Sequence, residues 1–198
     1  YIMIKIVVAS NNKHKVNEIK NILGNDRYNV VSISDDNIVS DPIEDGTTFE
    51  ENSFIKAKST KEFTDSIVIA DDSGLEVDAL NKEPGVYSAR YATENATDEE
   101  NNQLLISNIN DIDEKNRSAS FVTCISIIFE DNTHASIFGK CSGKIITTPR
   151  GSGGFGYDPM FIPLGFDKTL GELDDEIKKE LSHRSKALSL AKTILNSF

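Results

Sequence analysis

An apolar run that leads directly into two adjacent carboxylates constrains this chain more than any other segment. Residues 67–70 read Ile-Val-Ile-Ala, which is typical of a strand buried on both faces. Asp71, Asp72, Ser73 and Gly74 follow, and Gly74 predicts a sharp exit from the strand. Because like charges raise each other's pKa, paired acids at the end of a buried strand favour a bound cation such as magnesium. The alternative is a solvated turn rich in Asp and Ser.

The order of the remaining segments predicts an α/β fold with a mixed sheet. Strands are expected at residues 2–9, 28–33, 67–70, 75–79, 119–129, 134–141 and 144–148, and helices at about 13–23, 48–63, 97–109 and 174–195. Thr-x-x-Glu capping boxes at Thr48 and Thr97 mark two helix starts. Helices alternate with strands early, whereas 119–141 indicates a hairpin, so parallel and antiparallel strands are expected together. The 198 residues, 38% hydrophobic, predict one domain or two closely joined lobes.

Charge and cysteine content exclude some classes of function. A net charge of −11 argues against nucleic-acid binding, but a small anionic ligand needs only a local cationic pocket. Cys124 and Cys141 lack a metal-ligand spacing, which predicts buried thiols of an intracellular, cytoplasmic protein. No segment is expected to span a membrane, and no signal peptide is evident. Tyr1 and Ile2 precede Met3, which fits a natural start.

A polar turn before the first helix is a candidate anion site. Residues 10–15 read Ser-Asn-Asn-Lys-His-Lys, in which Asn12 is a suitable N-cap. Amide groups at a helix N-terminus and two lysines attract anions. The segment lacks the glycines of a Walker A loop, and a solvated turn explains it equally well.

Three acids form a second candidate group. Glu44 from a loop, with Asp71 and Asp72, provides oxygen ligands for a cation. Adjacent strand residues point to opposite faces, so Asp71 and Asp72 are expected to have different tasks. Asn52 and Lys56 are four residues apart and share one face of the following helix.

A glycine-rich loop at 151–159 is a third candidate. It matches G-x-G-x-x-G, but Pro149 and Arg150 precede it and Tyr-Asp-Pro follows instead of a helix, which excludes a dinucleotide fingerprint. Glycines beside Phe155 and Tyr157 favour close approach of the backbone to a flat ring. The alternative is a plain connecting loop.

The last helix carries hydrogen-bond donors at Lys178, His183 and Arg184. Such groups donate to carbonyl oxygens, so a ring with exocyclic keto groups would suit them. Arg184 falls on the apolar stripe of this helix. It is therefore expected either to meet a pocket or buried partner, or to snorkel at the edge of the core.

Five motifs occur in one order along the chain: Ser10-x-Asn12-x-x-Lys15, Ala70-Asp-Asp-Ser-Gly-Leu75, Pro84-Gly-Val-Tyr-Ser-Ala-Arg90, Gly153-Gly-Phe-Gly-Tyr-Asp-Pro159 and Ser182-His-Arg184. Their sequences and spacing resemble the inosine/xanthosine triphosphate pyrophosphatases, the Ham1/RdgB family. The resemblance extends from residue 4 to about 195 and so covers nearly the whole chain.

The resemblance implies a role for each matching residue in hydrolysing non-standard purine nucleoside triphosphates, with Mg²⁺ as cofactor. Phosphate and neighbouring ligand contacts fall to Ser10, Asn12, Lys15, Lys56 and Ser73. Metal binding falls to Glu44 and Asp72, and catalysis to Asp72, Lys15 and Asp71, with Asp72 activating the attacking water. Enclosure and reading of the base fall to Phe155, Gly156, Tyr157, Asp158, Lys178, His183 and Arg184.

The resemblance also implies an architecture and a range of activities. The fold would be a single domain over 1–198, with a long twisted mixed sheet flanked by helices and a central active-site cleft between two lobes, usually as a homodimer. The substrates would be ITP, dITP and XTP, which are cleaved to the monophosphate and pyrophosphate. The alternatives are a related house-cleaning pyrophosphatase with another base preference, and a regulatory nucleotide-binding module, which the three acids disfavour.

Overall fold

The computed structural model describes residues 3–24 and 27–197. Tyr1 and Ile2, including the part of the first predicted strand that begins at residue 2, lie outside the described residues. Five helices are described: α1 (Lys13–Leu23), α2 (Phe49–Lys61), α3 (Asp98–Ile109), α4 (Asp175–Leu181) and α5 (His183–Asn196). None of the helices within these described stretches is both long enough and apolar enough to cross a membrane.

Six strands form one sheet, and the prediction that the sheet is mixed is confirmed. They are β1 (Ile4–Val8), β2 (Tyr28–Ser32), β3 (Ile67–Val77), β4 (Ser118–Ile128), β5 (His134–Ile145) and β6 (Phe161–Pro163). Their spatial order is β2-β1-β3-β4-β5-β6. β1 pairs in parallel with β2 and β3, whereas β5 and β6 are antiparallel. The chain therefore has the predicted α/β fold.

The alternation of side chains along β3 divides its residues between two cores. Ile67 and Ile69 pack in a cluster with apolar residues of α1 and α5. Val68 and Ala70 pack in another cluster with Ala57 of α2. Because the period of a strand is two residues, the next two positions continue the same pattern. Asp71 therefore lies on the face of the sheet that is covered by α1 and α5, and Asp72 lies on the face that is covered by α2.

The predicted end of this strand after Ala70 is wrong. β3 continues without a break through Asp71, Asp72 and Gly74 to Val77, so Gly74 is a strand residue and not an exit. The reason is electrostatic, because side chains from distant segments compensate the buried charge of Asp71 inside the strand.

Two other predicted boundaries are also wrong. The separate strand at 144–148 does not form, because β5 extends to Ile145 and pairs there with β6. The predicted last helix is two helices, α4 and α5, with Ser182 between them. Its apolar stripe serves two different clusters, since Ile177 and Leu181 pack with Phe161, whereas Leu188 packs with residues of β1.

The chain forms two compact units. The first takes in the described residues of Tyr1–Asp72, Thr123–Gly139 and Arg184–Phe198, and the second consists of Ser73–Val122 and Lys140–His183. Each unit has its own core. In the first, Ile6, Ile69 and Ile125 are fully buried, and in the second, Leu105 and Ile145 are fully buried.

Candidate active site

Asp71 lies buried in the first unit in contact with two cations. Lys15 Nζ is 3.1 Å from Asp71 Oδ2, and Arg184 Nε donates to the same oxygen at 3.0 Å. Arg184 Nη1 also donates to Glu18 Oε2 at 2.8 Å. Burial alone would raise the pKa of Asp71, but Lys15, Arg184 and Lys56 outweigh it and hold that pKa well below its ordinary value. The two cations on Oδ2 therefore favour the charged form of Asp71.

The position of Arg184 decides between the two expectations stated for it. Its side chain is buried among the residues of the first unit and ion-paired with Asp71 and Glu18. The prediction of a buried partner is confirmed, and the snorkelling alternative is wrong. Sequence reasoning missed Glu18, although it lies three residues after Lys15 and therefore on the same face of α1.

Asp72 has a different environment, as the alternation along β3 requires. Lys56 Nζ donates to Asp72 Oδ1 at 3.1 Å and to Glu44 Oε2 at 2.9 Å. Burial raises the pKa of Asp72, Glu44 raises it further, and Lys56 acts against both. Asp72 Oδ2 is buried and has no hydrogen-bond partner within the described residues. Asp72 therefore presents an uncompensated oxygen that a ligand can occupy.

Glu44, Lys56 and Asp72 form an acid–lysine group, and helix α2 positions it at both ends. The predicted capping box at its start is confirmed, with the Thr48 hydroxyl and the Glu51 carboxylate each accepting a backbone N–H. Asn52 Oδ1 accepts the N–H of Gly46 at 2.9 Å, which fixes the loop that carries Glu44. Gly46 is required there, because a Cβ would lie 2.6 Å from Asn52 Oδ1.

The polar turn before α1 is ordered by its own side chains. Asn12 is the N-cap, as predicted, and its Oδ1 accepts the N–H groups of His14 at 3.0 Å and Lys15 at 3.3 Å. Ser10 Oγ accepts the N–H of Asn12 at 3.1 Å. These bonds direct Lys15 from the first turn of α1 toward Asp71.

The glycine-rich loop lies in the second unit and exposes a single aromatic ring. Phe155 is 71% exposed, whereas Tyr157 is buried and donates its hydroxyl to Ser88 O at 2.8 Å. Asp158 Oδ2 accepts the N–H of Phe155 at 3.2 Å. Burial raises the pKa of Asp158 to about 6, against the opposing bond from Phe155 and the charge of Lys178.

Lys178 and His183 both belong to the second unit but stand on different helices. Lys178 on α4 is ion-paired with Asp175 at 2.8 Å. His183 begins α5, and its ring stacks on Phe121 with centroids 5.4 Å apart and planes inclined by 13°. Ser73 also belongs to the second unit.

The structure thus sorts the predicted residues into two groups. The first unit holds Ser10, Asn12, Lys15, Glu44, Lys56, Asp71, Asp72 and Arg184. The second holds Ser73, Phe155, Gly156, Tyr157, Asp158, Lys178 and His183. The first group combines fixed cations with a carboxylate of raised pKa, which is suited to an anion and to proton transfer. The second presents a flat ring and donors.

Comparison with known proteins finds full-length relatives. The model of the Ham1 family matches residues 6–194. A protein named dITP/XTP pyrophosphatase from Sulfurimonas denitrificans is 45% identical, over 98% of this chain and 99% of that protein. A protein of the same name from Aliarcobacter butzleri is 44% identical, over 96% and 98%.

Solved structures agree with these sequence matches. The structure of the Staphylococcus aureus Ham1 protein superposes with a TM-score of 0.90 at 42% identity, covering 98% of each chain. That of a HAM1 protein from Coxiella burnetii gives 0.92 at 37% identity, covering 99% of this chain and 100% of the other. The resemblance carried by the five motifs is confirmed.

Proposed function

We propose, because this chain belongs to the Ham1 family, that it hydrolyses ITP, dITP and XTP to the monophosphate and pyrophosphate. The family relatives named dITP/XTP pyrophosphatase support the substrate class, since they match nearly the whole chain at about 44–45% identity. The carrying observation is that Lys56 lies between Glu44 and Asp72, with one oxygen of Asp72 buried and unpaired as far as the described residues go.

The residues fit a magnesium ion as cofactor. No group of three or more His, Cys, Asp or Glu side chains in the described parts of the chain is arranged to hold a metal alone. Magnesium, however, is usually held by one or two carboxylates together with phosphate oxygens of the substrate. The orphaned oxygen of Asp72 and the carboxylate of Glu44 supply such a pair. When bound there, magnesium would neutralise charge on the triphosphate and on the departing pyrophosphate.

Asp72 is proposed as the general base. Its carboxylate has two oxygens, so that Oδ2 can face the ion while Oδ1, which lies beside Lys56, takes a proton from water. Attack of that water on the α-phosphorus would release pyrophosphate. Lys56 and Lys15 supply fixed positive charge where negative charge increases. Asp71 holds Lys15 and Arg184 in place and is not itself a base, because its pKa is held low.

The second unit is proposed to read the base. Phe155 offers an exposed ring for stacking, and Lys178 and His183 offer donors. A donor facing position 6 can donate to the keto oxygen of hypoxanthine or xanthine, whereas in adenine it would face the amino group, which is itself a donor. Arg184 is retained as a further donor, although its Nε and Nη1 already donate to acids.

A panel of pyrophosphate-release assays tests this function. Release from ITP and XTP, but much less from ATP, is expected with Mg²⁺ and is expected to stop with EDTA. Guanine shares the C6 keto group, so any rejection of GTP would have to come from its 2-amino group. Equal kcat/KM for all four nucleotides would contradict the base preference, and a preference for another base would favour the alternative house-cleaning activity. Homodimer formation stays a prediction based on the family, and a cytoplasmic location stays a prediction based on the two cysteines.

A further inference from the structure

Two side chains of α3 form hydrogen bonds with the backbone of Gly156 in the glycine-rich loop. Gly156 N–H donates to Asp98 Oδ2 at 2.7 Å, and Asn102 Nδ2 donates to Gly156 O at 3.1 Å. Asp98 and Asn102 are four residues apart, so they stand one above the other on the same helical face. Gly156 has φ +58° and no side chain to anchor it. Its conformation is therefore fixed by these two bonds.

These two hydrogen bonds to Gly156 also restrain the positions of the residues on either side of it. Phe155 precedes Gly156, and its exposed ring can only be oriented through the backbone. Tyr157 follows and is anchored to Ser88 O by its hydroxyl. Asp158 completes the loop by accepting the N–H of Phe155. Freeing Gly156 would release Phe155 first, because that ring is the least buried member.

Asn102 bears a cost that a purely structural residue would avoid. The side chain is 7% exposed, and its Oδ1 has no hydrogen-bond partner among the residues that the structure describes. The amide cannot turn round, since the carbonyl of Gly156 requires a donor. A buried unpaired acceptor destabilises a fold. The amide is thus better explained by the loop that it holds than by stability.

We propose that Asp98 and Asn102 are positioning residues for base recognition, acting through Gly156 on Phe155 and Asp158. This inference rests on the proposed function, in which the loop encloses the purine. It concerns only the base end of the substrate. The group around Asp71 and Asp72, which would meet the phosphates, makes no use of α3.

The decisive variant is Asn102→Leu, which keeps the branched shape of Asn but has no N–H donor and no unpaired acceptor. Its affinity for inosine monophosphate, measured by calorimetry, is expected to fall about tenfold. Its affinity for inorganic pyrophosphate should stay within about twofold of the unchanged chain, and its melting temperature should not fall. Asp98→Ala should weaken the binding of inosine monophosphate to the same extent. Asp98→Asn keeps an acceptor for the N–H of Gly156 and should bind inosine monophosphate normally.

The control is Gln103→Ala, since Gln103 is exposed on α3 and bonds only to Glu99 in the described structure. Hydrogen exchange of residues 151–158 provides a readout that needs no ligand, and it should accelerate in Asn102→Leu and Asp98→Ala but not in the control. Unchanged exchange, unchanged affinity for inosine monophosphate, or equal loss for both ligands would each overturn the inference. If the protein without substitutions releases no pyrophosphate from ITP, the proposed function is refuted instead. Hydrogen exchange would still show whether Asp98 and Asn102 restrain Gly156.

Discussion

Lys56 Nζ lies 3.1 Å from one oxygen of Asp72, while the other oxygen of Asp72 is buried with no hydrogen-bond partner in the described structure. Lys56 also contacts Glu44, so one ammonium holds two carboxylates that would otherwise repel each other. In Asp71, the neighbour of Asp72, Oδ2 instead contacts two other cations, Lys15 and Arg184. Two adjacent acids thus differ in their readiness to react because a strand turns them to opposite faces.

Asp72→Asn is expected to lose most turnover with the fold intact. The amide keeps the shape of the carboxylate and a hydrogen-bond acceptor for Lys56 but cannot serve as a base, so kcat for ITP should fall by about 10²–10⁴-fold. Steady-state kinetics and a melting curve measure the two effects. The control is Asp65→Asn, an exposed acid just before β3, which should retain full activity. Near-normal turnover of a folded Asp72→Asn variant would refute the role of Asp72.

Arg184→Met is expected to destabilise the protein strongly. It removes one of the two cations that contact the buried Asp71, and breaking a buried pair typically costs about 3–5 kcal/mol. Urea denaturation measures the loss in free energy of unfolding. Adding Asp71→Asn removes the stranded charge, so the double variant should lose much less than the sum of the single losses. Strictly additive losses would show that Arg184 and Asp71 are not coupled.

The sequence predicted the features that depend on neighbours in the chain. The capping boxes at Thr48 and Thr97 and the N-cap at Asn12 involve residues two or three positions apart, and all three are confirmed. The opposite roles of Asp71 and Asp72 follow from the two-residue period of a strand. The sequence therefore predicted the helix starts beside the site and the different environments of its two adjacent acids.

Features that depend on distant partners were not predictable in this way. β3 continues past Ala70 because Asp71 is paired with Arg184, which is 113 residues away in sequence. The break at Ser182 occurs because Leu181 and Leu188 belong to different hydrophobic clusters, although one helical pattern covers both. No local sequence pattern predicts the hydrogen bonds of Asp98 and Asn102 to Gly156, because these residues are 58 and 54 positions away from it in the chain.

Asp158→Asn is expected to remove a pH dependence of stability. Burial raises the pKa of Asp158 from 3.8 to about 6, so the folded state binds its proton more tightly than the unfolded state does. The free energy of unfolding should therefore fall as pH rises from about 4 to about 6, by at most about 3 kcal/mol, and then level off. The amide cannot ionise and still accepts the N–H of Phe155. Urea titrations at several pH values should show Asp158→Asn as the more stable protein above pH 6, whereas parallel curves would contradict the assignment.

Gly154→Ala is expected to impair base binding much more than Gly156→Ala does. Both glycines have positive φ, +84° and +58°, so alanine carries a similar backbone strain of about 1 kcal/mol at each. At Gly154 a Cβ would also lie 2.0 Å from Asp158 Oδ2 and 2.9 Å from Asp158 Cβ, whereas at Gly156 it would meet nothing within 4 Å. Asp158 would have to move and give up the N–H of Phe155.

The two alanine variants therefore form a matched pair that separates backbone strain from displacement of Asp158. KM for ITP should rise about tenfold in Gly154→Ala and much less in Gly156→Ala, while kcat changes little in either because the acid–lysine group is untouched. Equal effects of the two substitutions would show that strain alone matters. A fall in kcat without a change in KM would show that the loop acts on the chemical step, which would contradict the assignment of the loop to the base.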